Sequence, residues 1–496
     1  MSIVANPHGV LEVVTRTNRA HLSRKAKAGE AMRIATGLYI VGATLSPQQA
    51  VRDHLHEIVA TFWPGGVLCG RTAFAGGVAD NGELYIAHPD PPRQSSLVLP
   101  GVTVHPVVGP HALPGDVPLP YGLALSGAAR TLVDNIDRVG RPARFRAGAE
   151  AVEHRIDDLA RSGGPARIRM TLEQLDVIAG HFDPAAVTSV RIRLTAVLGS
   201  ISGGLQPASD RLRARLAGDP FDGHRITMMQ RLVEFLGERP PNPRHVTLPM
   251  ERWNWLPFFE AYFSNFIEGT EFGVDEARRI AIEGVVPENR PADAHDVAAT
   301  YRLATDPDDR RRVPTSGVEL VGILCDRHRL LMAAREDKHP GELKQQYNFA
   351  GGYQFVEPAL VEGTLKRGFE VLHELHDPFF RAVAMMALVT EVHPFDDGNG
   401  RVARLTVNAE LSSAGRVRIV IPTVFRSNYL VALNAISAGT DHGASLLAVL
   451  DFAQKWVAAA DWSDYAEADA TMTACHAYLD SATADGSGRN LILPPR

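Results

Sequence analysis

Apolar and polar positions along this chain of 496 residues change period part-way, from a mixed pattern to an almost wholly helical one. Near the start, Leu22 and Ala26 lie four apart among basic residues, which predicts a short helix. Residues 32–41 form two apolar runs around Thr36-Gly37 and predict a β-hairpin. A helix followed by a two-stranded wing is typical of a winged-helix module, which we expect at the start of the chain.

A series of short elements follows this module. Residues 51–60 predict one amphipathic helix, and a helical zone begins near Leu125 and continues, with breaks, to Gly237. Between them, turns rich in Gly, Pro and Asp separate three runs that predict strands: Leu84 to Ala87, Ser96 to Leu99 and Val102 to Val108. We therefore predict an α+β region over residues 1–145 and a helical connector over residues 146–244.

The clearest linker is the Pro-rich segment 239–244, which ends the connector. Proline cannot donate a backbone hydrogen bond, and it forces the residue before it into an extended conformation. Beyond this segment almost every pattern is helical, so we predict the main domain at 245–470 and a C-terminal helix and tail at 471–496. The predicted fold class is mixed and mainly α: an all-helical core with a β-hairpin flap, preceded by a smaller α+β region.

Composition narrows the class of protein. Hydrophobic residues make up 45% and charged residues 22%, an ordinary globular balance, and the net charge of −6 gives no whole-chain reason to bind nucleic acid or an anionic membrane. The 3 cysteines lie far apart, which indicates neither a disulfide framework nor a zinc site. No apolar stretch is long enough to span a membrane, and the first residues do not resemble a signal peptide. We expect a soluble, cytoplasmic protein.

The residues that carry chemistry are concentrated in the loop 393–404, between two predicted helices. Gly398-Asn399-Gly400 allows backbone conformations in which successive N–H groups converge on an anion. The helix that starts there adds unpaired N–H donors and a favourable dipole, which suit a phosphate. This half of the loop therefore predicts a phosphate site.

Four charged or titratable side chains flank that phosphate site. Arg401 and Arg404 are three apart on one helical face, so their guanidinium groups can hold two phosphates of a polyphosphate. Asp397 supplies a hard oxygen ligand for Mg²⁺, and His393 can accept a proton from an attacking hydroxyl. A single histidine or a single glycine turn is usually structural, but packing alone does not explain all of these groups in one loop.

The loop resembles the H-P-F-x-[D/E]-G-N-G-R-x-x-R motif of the Fic family, and every specified position matches. The resemblance implies a helical fold whose members mostly transfer AMP from ATP to Ser, Thr or Tyr hydroxyls of proteins. It implies that His393 is the general base, that Asp397 holds Mg²⁺ and that Arg404 holds the γ-phosphate. It also implies that the α- and β-phosphates are bound by the segment Gly398, Asn399, Gly400 and Arg401.

A second feature lies upstream of the loop, where a double glycine separates two short apolar runs and predicts a hairpin. In Fic proteins a flap at this position pairs with an extended segment of the target protein. The resemblance implies a target-binding role for Gly352, Tyr353, Gln354, Phe355 and Val356. An ordinary surface hairpin is the alternative, and Glu357 replaces one of the two prolines usual after the flap.

Residues 253–269 predict a helix with a large aromatic face, which we interpret as core packing. Ser264 and Glu268 lie four apart on this helix, and Gly269 is placed to end it. They resemble the [S/T]-x-x-x-E-[G/N] inhibitory motif of Fic proteins. The resemblance implies that Glu268 pairs with Arg404, so that ATP binds in a non-productive pose. In some family members the equivalent glutamate also supports AMP removal.

The front of the chain resembles, more loosely, the winged-helix and following domain of AbiEi-type antitoxins. Four segments carry this resemblance: 23–29, 37–39, 70–73 and 102–106. If residues 1–60 bind DNA, the phosphate contacts fall to Arg16, Arg19, Arg24, Lys25, Lys27 and Arg33. A solvated basic surface is the favoured alternative, and a protein-binding role is equally open.

The sequence as a whole therefore predicts a protein adenylyltransferase with Mg²⁺ and ATP, restrained by Glu268. The target of this predicted transferase is a protein, which can be the chain itself. Whether the chain forms a homodimer is left open. The alternatives are a Fic enzyme that uses another nucleotide such as UMP or that removes AMP, and a DNA-binding, antitoxin-like regulator with a nucleotide-sensing second half.

Overall fold

The computed structural model describes residues 8–78, 81–92, 95–136, 143–199, 205–480, 483–484, 486 and 488–494. The predictions for residues 1–60 and 471–496 therefore include positions outside this description. Packing divides the chain into two compact units, Met1–Gly218 and Asp219–Arg496. The predicted fold class, mainly α with an N-terminal α+β region, is confirmed.

The first unit begins with a small antiparallel sheet in the order β1-β3-β2. Its elements are β1 (Val10–Val13), α1 (Arg19–Lys27), β2 (Ala31–Ala35) and β3 (Leu38–Val41), followed by α2 (Pro47–Asp53) and α3 (Leu55–Phe62). The hairpin predicted around Thr36-Gly37 is present. The single helix predicted over 51–60 is wrong, because the backbone leaves the helical region at His54 (φ −100°, ψ 11°) and the chain forms two helices.

A six-stranded mixed sheet in the order β6-β7-β5-β4-β9-β8 forms the rest of the α+β part. Its elements are β4 (Val67–Leu68), α4 (Gly70–Phe74), β5 (Glu83–His88), β6 (Leu97–Leu99), β7 (Val102–Val108), β8 (Val117–Pro118) and β9 (Ala124–Leu125). Four helices follow: α5 (Ala128–Asn135), α6 (Ala149–Ile178), α7 (Pro184–Val197) and α8 (Asp210–Leu216). Gly164 (φ 58°) and Pro165 interrupt α6.

Among its described residues, the second unit is helical apart from one hairpin and an isolated β-bridge between His245 and Arg416. Its first half contains α9 (Gly223–Gly237), α10 (Leu256–Phe266), α11 (Val274–Arg278), the π-helical turn Arg279–Glu283, α12 (Pro291–Thr305) and α13 (Gly317–Leu331). The hairpin is β10 (Phe349–Ala350) and β11 (Tyr353–Gln354). Six helices follow: α14 (Val361–Leu372), α15 (Pro378–Val392), α16 (Asn399–Ser413), α17 (Arg426–Ser437), α18 (Ala444–Ala459) and α19 (Tyr465–Ala474).

The Pro-rich segment 239–244 lies inside this second unit. The Asn242 N–H donates to Asp377 Oδ2 at 3.2 Å, and Arg244 forms an ion pair with Asp451. The packing boundary therefore falls earlier in the chain than the sequence-based boundary at 244, and α9 packs with the helical unit.

Two apolar helices position the loop 393–404. The aromatic side chains of α10 are buried in the core of the unit, as the sequence predicts. Helix α15 is buried along almost its whole length, and its N-terminus is capped by Asp377, which accepts from the N–H groups of Phe379 and Phe380. A buried helix has little freedom to shift, so the loop starts from a fixed point. No helix in the described ranges is both long and apolar enough to cross a membrane.

Candidate active site

The loop between α15 and α16 changes direction at two residues with positive φ. His393 ends α15 in the left-handed region (φ 51°, ψ 62°), and Gly398 (φ 74°) precedes the first turn of α16. Glycine adopts this region freely, whereas a residue with a Cβ does so at a cost of about 1–3 kcal/mol. The conformation of His393 therefore requires support from its surroundings.

That support comes from Lys344 and Asn348, which we call the carbonyl clamp. They bind the four consecutive carbonyls of the segment 392–395. The Lys344 Nζ donates to the first at 3.2 Å, and its backbone N–H donates to the third at 2.8 Å. The Asn348 Nδ2 donates to the second at 3.3 Å and to the fourth at 3.0 Å. Burial lowers the pKa of Lys344 to about 7, and its Nζ also donates to Asn348 Oδ1 at 2.6 Å.

Asn399 and His328 fix the middle of the loop. The Asn399 amide accepts from the Phe395 N–H at 2.9 Å and donates to the Phe395 carbonyl at 2.8 Å, so its side chain is committed to the loop. The buried Phe395 ring stacks on the His328 imidazole at 3.9 Å. His328 accepts from the Gly341 N–H through Nδ1 and donates through Nε2 to the Asp397 carbonyl at 3.2 Å.

The imidazole of His393 is arranged to accept a proton. Its Nδ1 lies 3.3 Å from the Thr390 carbonyl, which can only accept, so Nδ1 carries the hydrogen and Nε2 keeps its lone pair. Burial lowers the pKa of His393 to about 4, which keeps the ring neutral at pH 7. The Phe355 ring stacks on the imidazole at 3.9 Å with an interplanar angle of 10°.

The first turn of α16 offers unpaired N–H groups. Its first intrahelical bond runs from the Val402 N–H to the Gly398 carbonyl at 3.0 Å, so the N–H groups of residues 399–401 have no intrahelical acceptor. At the edge of this anion nest lies the Asp397 carboxylate, whose side chain is 45% exposed. One accessible carboxylate beside a phosphate site fits Mg²⁺, which usually binds one or two carboxylates together with substrate phosphates and water. The described residues contain no group of three or more His, Cys, Asp or Glu side chains suited to a metal.

The two arginines of the motif have different surroundings. The buried Arg401 donates Nη1 to Asp296 Oδ2 at 2.7 Å, and Arg335 donates to the same carboxylate, which is fully buried. The expectation that both guanidinium groups hold phosphates stays a prediction. The Arg401 guanidinium is tied to Asp296, and its Nη2 also lies 3.8 Å from Asp397 Oδ1.

Arg404 is tied to the predicted inhibitory helix, α10. Its Nε donates to Ser264 Oγ at 2.9 Å, and its Nη2 donates to the Ser264 carbonyl at 2.8 Å and to Glu268 Oε1 at 2.7 Å. A Cβ on Gly400 would overlap Glu268 Oε1. The Glu268 carboxylate thus pairs with Arg404 and also lies against the anion nest, where a phosphate oxygen would bind.

Residues 321–411, which contain this loop and the carbonyl clamp, match the sequence model of the Fic/DOC family. This segment of the chain is therefore a Fic domain. A relative, the protein adenylyltransferase Fic of Drosophila erecta, is 29% identical over 190 residues, which cover 36% of this chain and 38% of that protein. The alignment therefore spans well under half of that relative.

Two solved Fic structures are similar to parts of the chain. Fic-1 from C. elegans has a TM-score of 0.35 and 16% identity, covering 62% of this chain and 85% of that one. A Fic domain containing signaling protein from Bacteroides thetaiotaomicron has a TM-score of 0.37 and 20% identity, covering 47% of this chain and 94% of that one.

The predicted flap of this Fic domain is a short hairpin. Phe349 pairs with Gln354 and Ala350 pairs with Tyr353, with Gly351 (φ 58°) in the turn. Each strand is only two residues long, and the Phe355 N–H extends the pairing by one bond to the Asn348 carbonyl at 3.2 Å. Val356 is buried, whereas Phe355 covers His393. The predicted flap residues therefore divide between the hairpin and the base of the site.

Two residues of α17, downstream of the motif, contact neighbouring helices. Arg426 donates Nε to the Ile267 carbonyl at 2.8 Å and so binds the end of α10 next to Glu268. Tyr429 is buried, and its hydroxyl contacts Met386 Sδ at 3.1 Å.

Sequence reasoning missed several partners of the Fic motif. The carbonyl clamp, His328 and Asp296 each contact the loop from outside it. Sequence reasoning also missed Arg225 and Glu391, which contact the flap and not the loop. The only available signal was a charged or polar residue inside an apolar helical pattern, as with Glu391 at the end of the apolar run of α15.

Proposed function

We propose that this Fic-domain protein is a protein adenylyltransferase, which transfers AMP from ATP to a Ser, Thr or Tyr hydroxyl of a protein. The observation that supports it most is a neutral imidazole, His393, four residues before Asp397 and joined by one loop to the anion nest of α16. A polyphosphate held at the nest brings its phosphorus atoms close to a proton acceptor.

The proposed reaction is an in-line displacement. The hydroxyl oxygen of the target forms a bond to the α-phosphorus while the bond to the oxygen bridging the α- and β-phosphates breaks. Pyrophosphate leaves, and the hydroxyl proton passes to His393 Nε2. Because its pKa is low, His393 starts each turnover in the form that accepts a proton.

Asp397 is the residue that would hold Mg²⁺, together with phosphate oxygens and water. When bound there, Mg²⁺ neutralises part of the charge of the pyrophosphate leaving group. The N–H groups of residues 399–401 bind the α- and β-phosphates, and Arg404 binds the γ-phosphate once it is free of Glu268.

In this proposal Glu268 restrains the enzyme. Its carboxylate competes with the γ-phosphate for Arg404 and lies against Gly400. A hydrogen bond between charged groups contributes about 1.5–3 kcal/mol, which corresponds to roughly one to two powers of ten in the fraction of productively bound ATP. We therefore expect low transfer activity in the native chain.

The test is an assay with α-labelled ATP and Mg²⁺ on three proteins: the native chain, Glu268→Gly, and Glu268→Gly combined with His393→Ala. The proposal predicts label on protein, the chain itself included, in the single variant and none in the double variant. Parallel reactions with UTP and GTP test the choice of nucleotide, and incubation of labelled protein without ATP tests AMP removal. Absence of label from all three proteins while ATP still binds would contradict the proposal.

A DNA-binding regulator is the second candidate function, favoured by the order β1-α1-β2-β3 and by the basic last turn of α1. That turn carries Arg24, Lys25 and Lys27. The test is fluorescence anisotropy of labelled duplex DNA with the full chain at several salt concentrations. Binding that weakens with salt and with alanine at these three positions supports this function, and unchanged anisotropy excludes it.

A further inference from the structure

We infer that Arg225, Glu391 and Tyr353 form an anchor that holds the flap hairpin over His393 and thereby positions the target hydroxyl. This inference rests on the proposed transferase function and adds positioning residues to it. Arg225 lies in α9, outside the segment 321–411 that matches the Fic/DOC family.

Glu391 is the centre of the anchor. It lies in α15, two residues before His393, and it is buried. The Tyr353 hydroxyl donates to Glu391 Oε2 at 2.6 Å, and Arg225 Nε forms an ion pair with the same oxygen at 3.3 Å. From α17, the Ser437 hydroxyl donates to the other carboxylate oxygen. The buried charge is therefore compensated from three sides.

Arg225 contacts the flap in two further ways. Its Nη2 donates to the Gln354 carbonyl at 2.9 Å, and its guanidinium lies 4.9 Å from the centre of the Tyr353 ring. Burial, followed by the charge of Glu391, raises the pKa of Tyr353, so the hydroxyl keeps its proton and acts as the donor. The backbone and a side chain of β11 are thus both bound to residues outside the hairpin.

The hairpin needs such an anchor because it is small. Two paired residues on each strand do not make a stable hairpin in water, and Phe349 in β10 is exposed. The position of the flap is therefore set by what binds β11. Immediately after β11, Phe355 stacks on the His393 imidazole and donates its N–H to the Asn348 carbonyl at 3.2 Å.

This arrangement connects the anchor to the chemistry. When the anchor is intact, the flap backbone and the imidazole have one relative position, and an extended target segment that pairs with the flap presents its hydroxyl at a constant distance from Nε2. When the anchor is lost, ATP still binds at α16, but the target hydroxyl is less well oriented.

The test compares Tyr353→Phe and Arg225→Gln with a matched control, Tyr301→Phe, all in the full chain carrying Glu268→Gly. Tyr353→Phe removes only the hydroxyl that binds Glu391, and Tyr301→Phe removes a hydroxyl from α12, outside the flap and the anchor. Two properties are measured: amide hydrogen exchange of the peptide spanning 345–356, and label transfer from α-labelled ATP at varied ATP concentration.

The inference predicts faster hydrogen exchange of the flap amides in both Tyr353→Phe and Arg225→Gln. Label transfer at saturating ATP falls about tenfold, as expected for one lost hydrogen bond to a charged group, with little change in the KM for ATP. Arg225→Lys restores the ion pair but not the bond to the Gln354 carbonyl, so it recovers only part of the loss. Tyr301→Phe behaves like its parent in both measurements.

The inference is overturned if the flap amides of Tyr353→Phe exchange hydrogen at the parental rate. If Arg225→Gln does not fold, the result for Tyr353→Phe is sufficient to test the inference. A failure of the transferase proposal is a different result: the Glu268→Gly parent then transfers no label at all. Hydrogen exchange still decides in that case whether the anchor holds the flap.

Discussion

Glu268 Oε1 accepts a hydrogen bond from Arg404 Nη2 at 2.7 Å, across 136 positions of sequence. The Arg404 side chain is buried, whereas the side chain of Glu268 is 33% exposed. The carboxylate can therefore leave toward solvent more readily than the guanidinium can move. This asymmetry makes Glu268 the group whose substitution is expected to change activity without disturbing the fold.

The first prediction concerns the charge of Glu268. Glu268→Gln keeps the shape of the side chain but replaces a hydrogen bond between two charged groups with one in which only Arg404 is charged, which is weaker by about 1 kcal/mol. We expect transfer of label from ATP to rise about fivefold, less than in Glu268→Gly, because the amide still lies against Gly400. Initial rates at fixed ATP measure this.

Glu271→Gln is the matched control for that prediction, since Glu271 is an exposed acid three residues further on. Its substitution is expected to leave the rate unchanged. If Glu268→Gln shows the native rate while Glu268→Gly is activated, the negative charge of Glu268 is not what restrains the enzyme.

The second prediction concerns Asp296, the fully buried carboxylate that accepts from Arg335 and Arg401. Asp296→Asn leaves two guanidinium groups without their shared counter-charge. Removal of one partner of a buried ion pair typically costs about 3–5 kcal/mol, so we expect a loss of stability of that order. Urea unfolding of the full chain, followed by circular dichroism, measures the free energy of unfolding.

Asp293→Asn provides the comparison, because Asp293 also binds Arg335 but its side chain is 28% exposed. Ion pairs near the surface contribute roughly 0–1 kcal/mol, so the effect should be small. Equal losses in the two variants would contradict the assignment of Asp296 as the buried support of Arg401.

The sequence predicted the loop 393–404 because its chemistry is contiguous. A base, an acid, a glycine turn and two arginines stand in one run, and each type suggests its task without knowledge of the fold. The pairing of Glu268 with Arg404 was predictable only through the resemblance to a known inhibitory motif. The structure contains the expected contact.

The supports of the loop could not be predicted in this way. Asp296 lies 105 positions from Arg401, and Lys344 lies 48 positions from Val392, so no local pattern joins them. The same limit applies to the helices at the front of the chain. Apolar periodicity over 51–60 fits one helix, and only the backbone at His54 shows where the first helix ends.

The third prediction concerns pH. The pKa of His393 is lowered from its usual 6.5 to about 4 by burial. Between these values the unfolded chain binds a proton that the folded chain does not, so this group makes stability fall as pH decreases below 6.5. The slope from one such histidine is at most about 1.4 kcal/mol per pH unit.

The measurement is urea unfolding between about pH 4.5 and about pH 7.5, for the native chain and for His393→Asn. This range covers most of the interval between the folded and unfolded pKa values of His393 and extends above it. The native chain should lose more stability on acidification than the variant, and above pH 6.5 the difference between them should be constant. Parallel curves over the whole range would show that the folded chain does not disfavour protonation of His393.

The last prediction concerns Lys344 of the carbonyl clamp. Lys344→Met keeps a long, unbranched side chain in the buried site but removes the bonds from Nζ to the Val392 carbonyl and to Asn348 Oδ1. His393 then has less support for its left-handed conformation. In the Glu268→Gly background we expect label transfer at saturating ATP to fall about tenfold, with ATP affinity changed less than twofold, because the nest of α16 is intact.

Lys455→Met is the control, since Lys455 is an exposed lysine of α18. The two variants are compared by label transfer, by calorimetric titration with ATP, and by thermal unfolding, which separates loss of positioning from loss of fold. A Lys344→Met protein that transfers label at the parental rate would mean that the backbone bond from Lys344 and the bonds from Asn348 hold the loop on their own. In that case the buried ammonium group has no part in orienting His393.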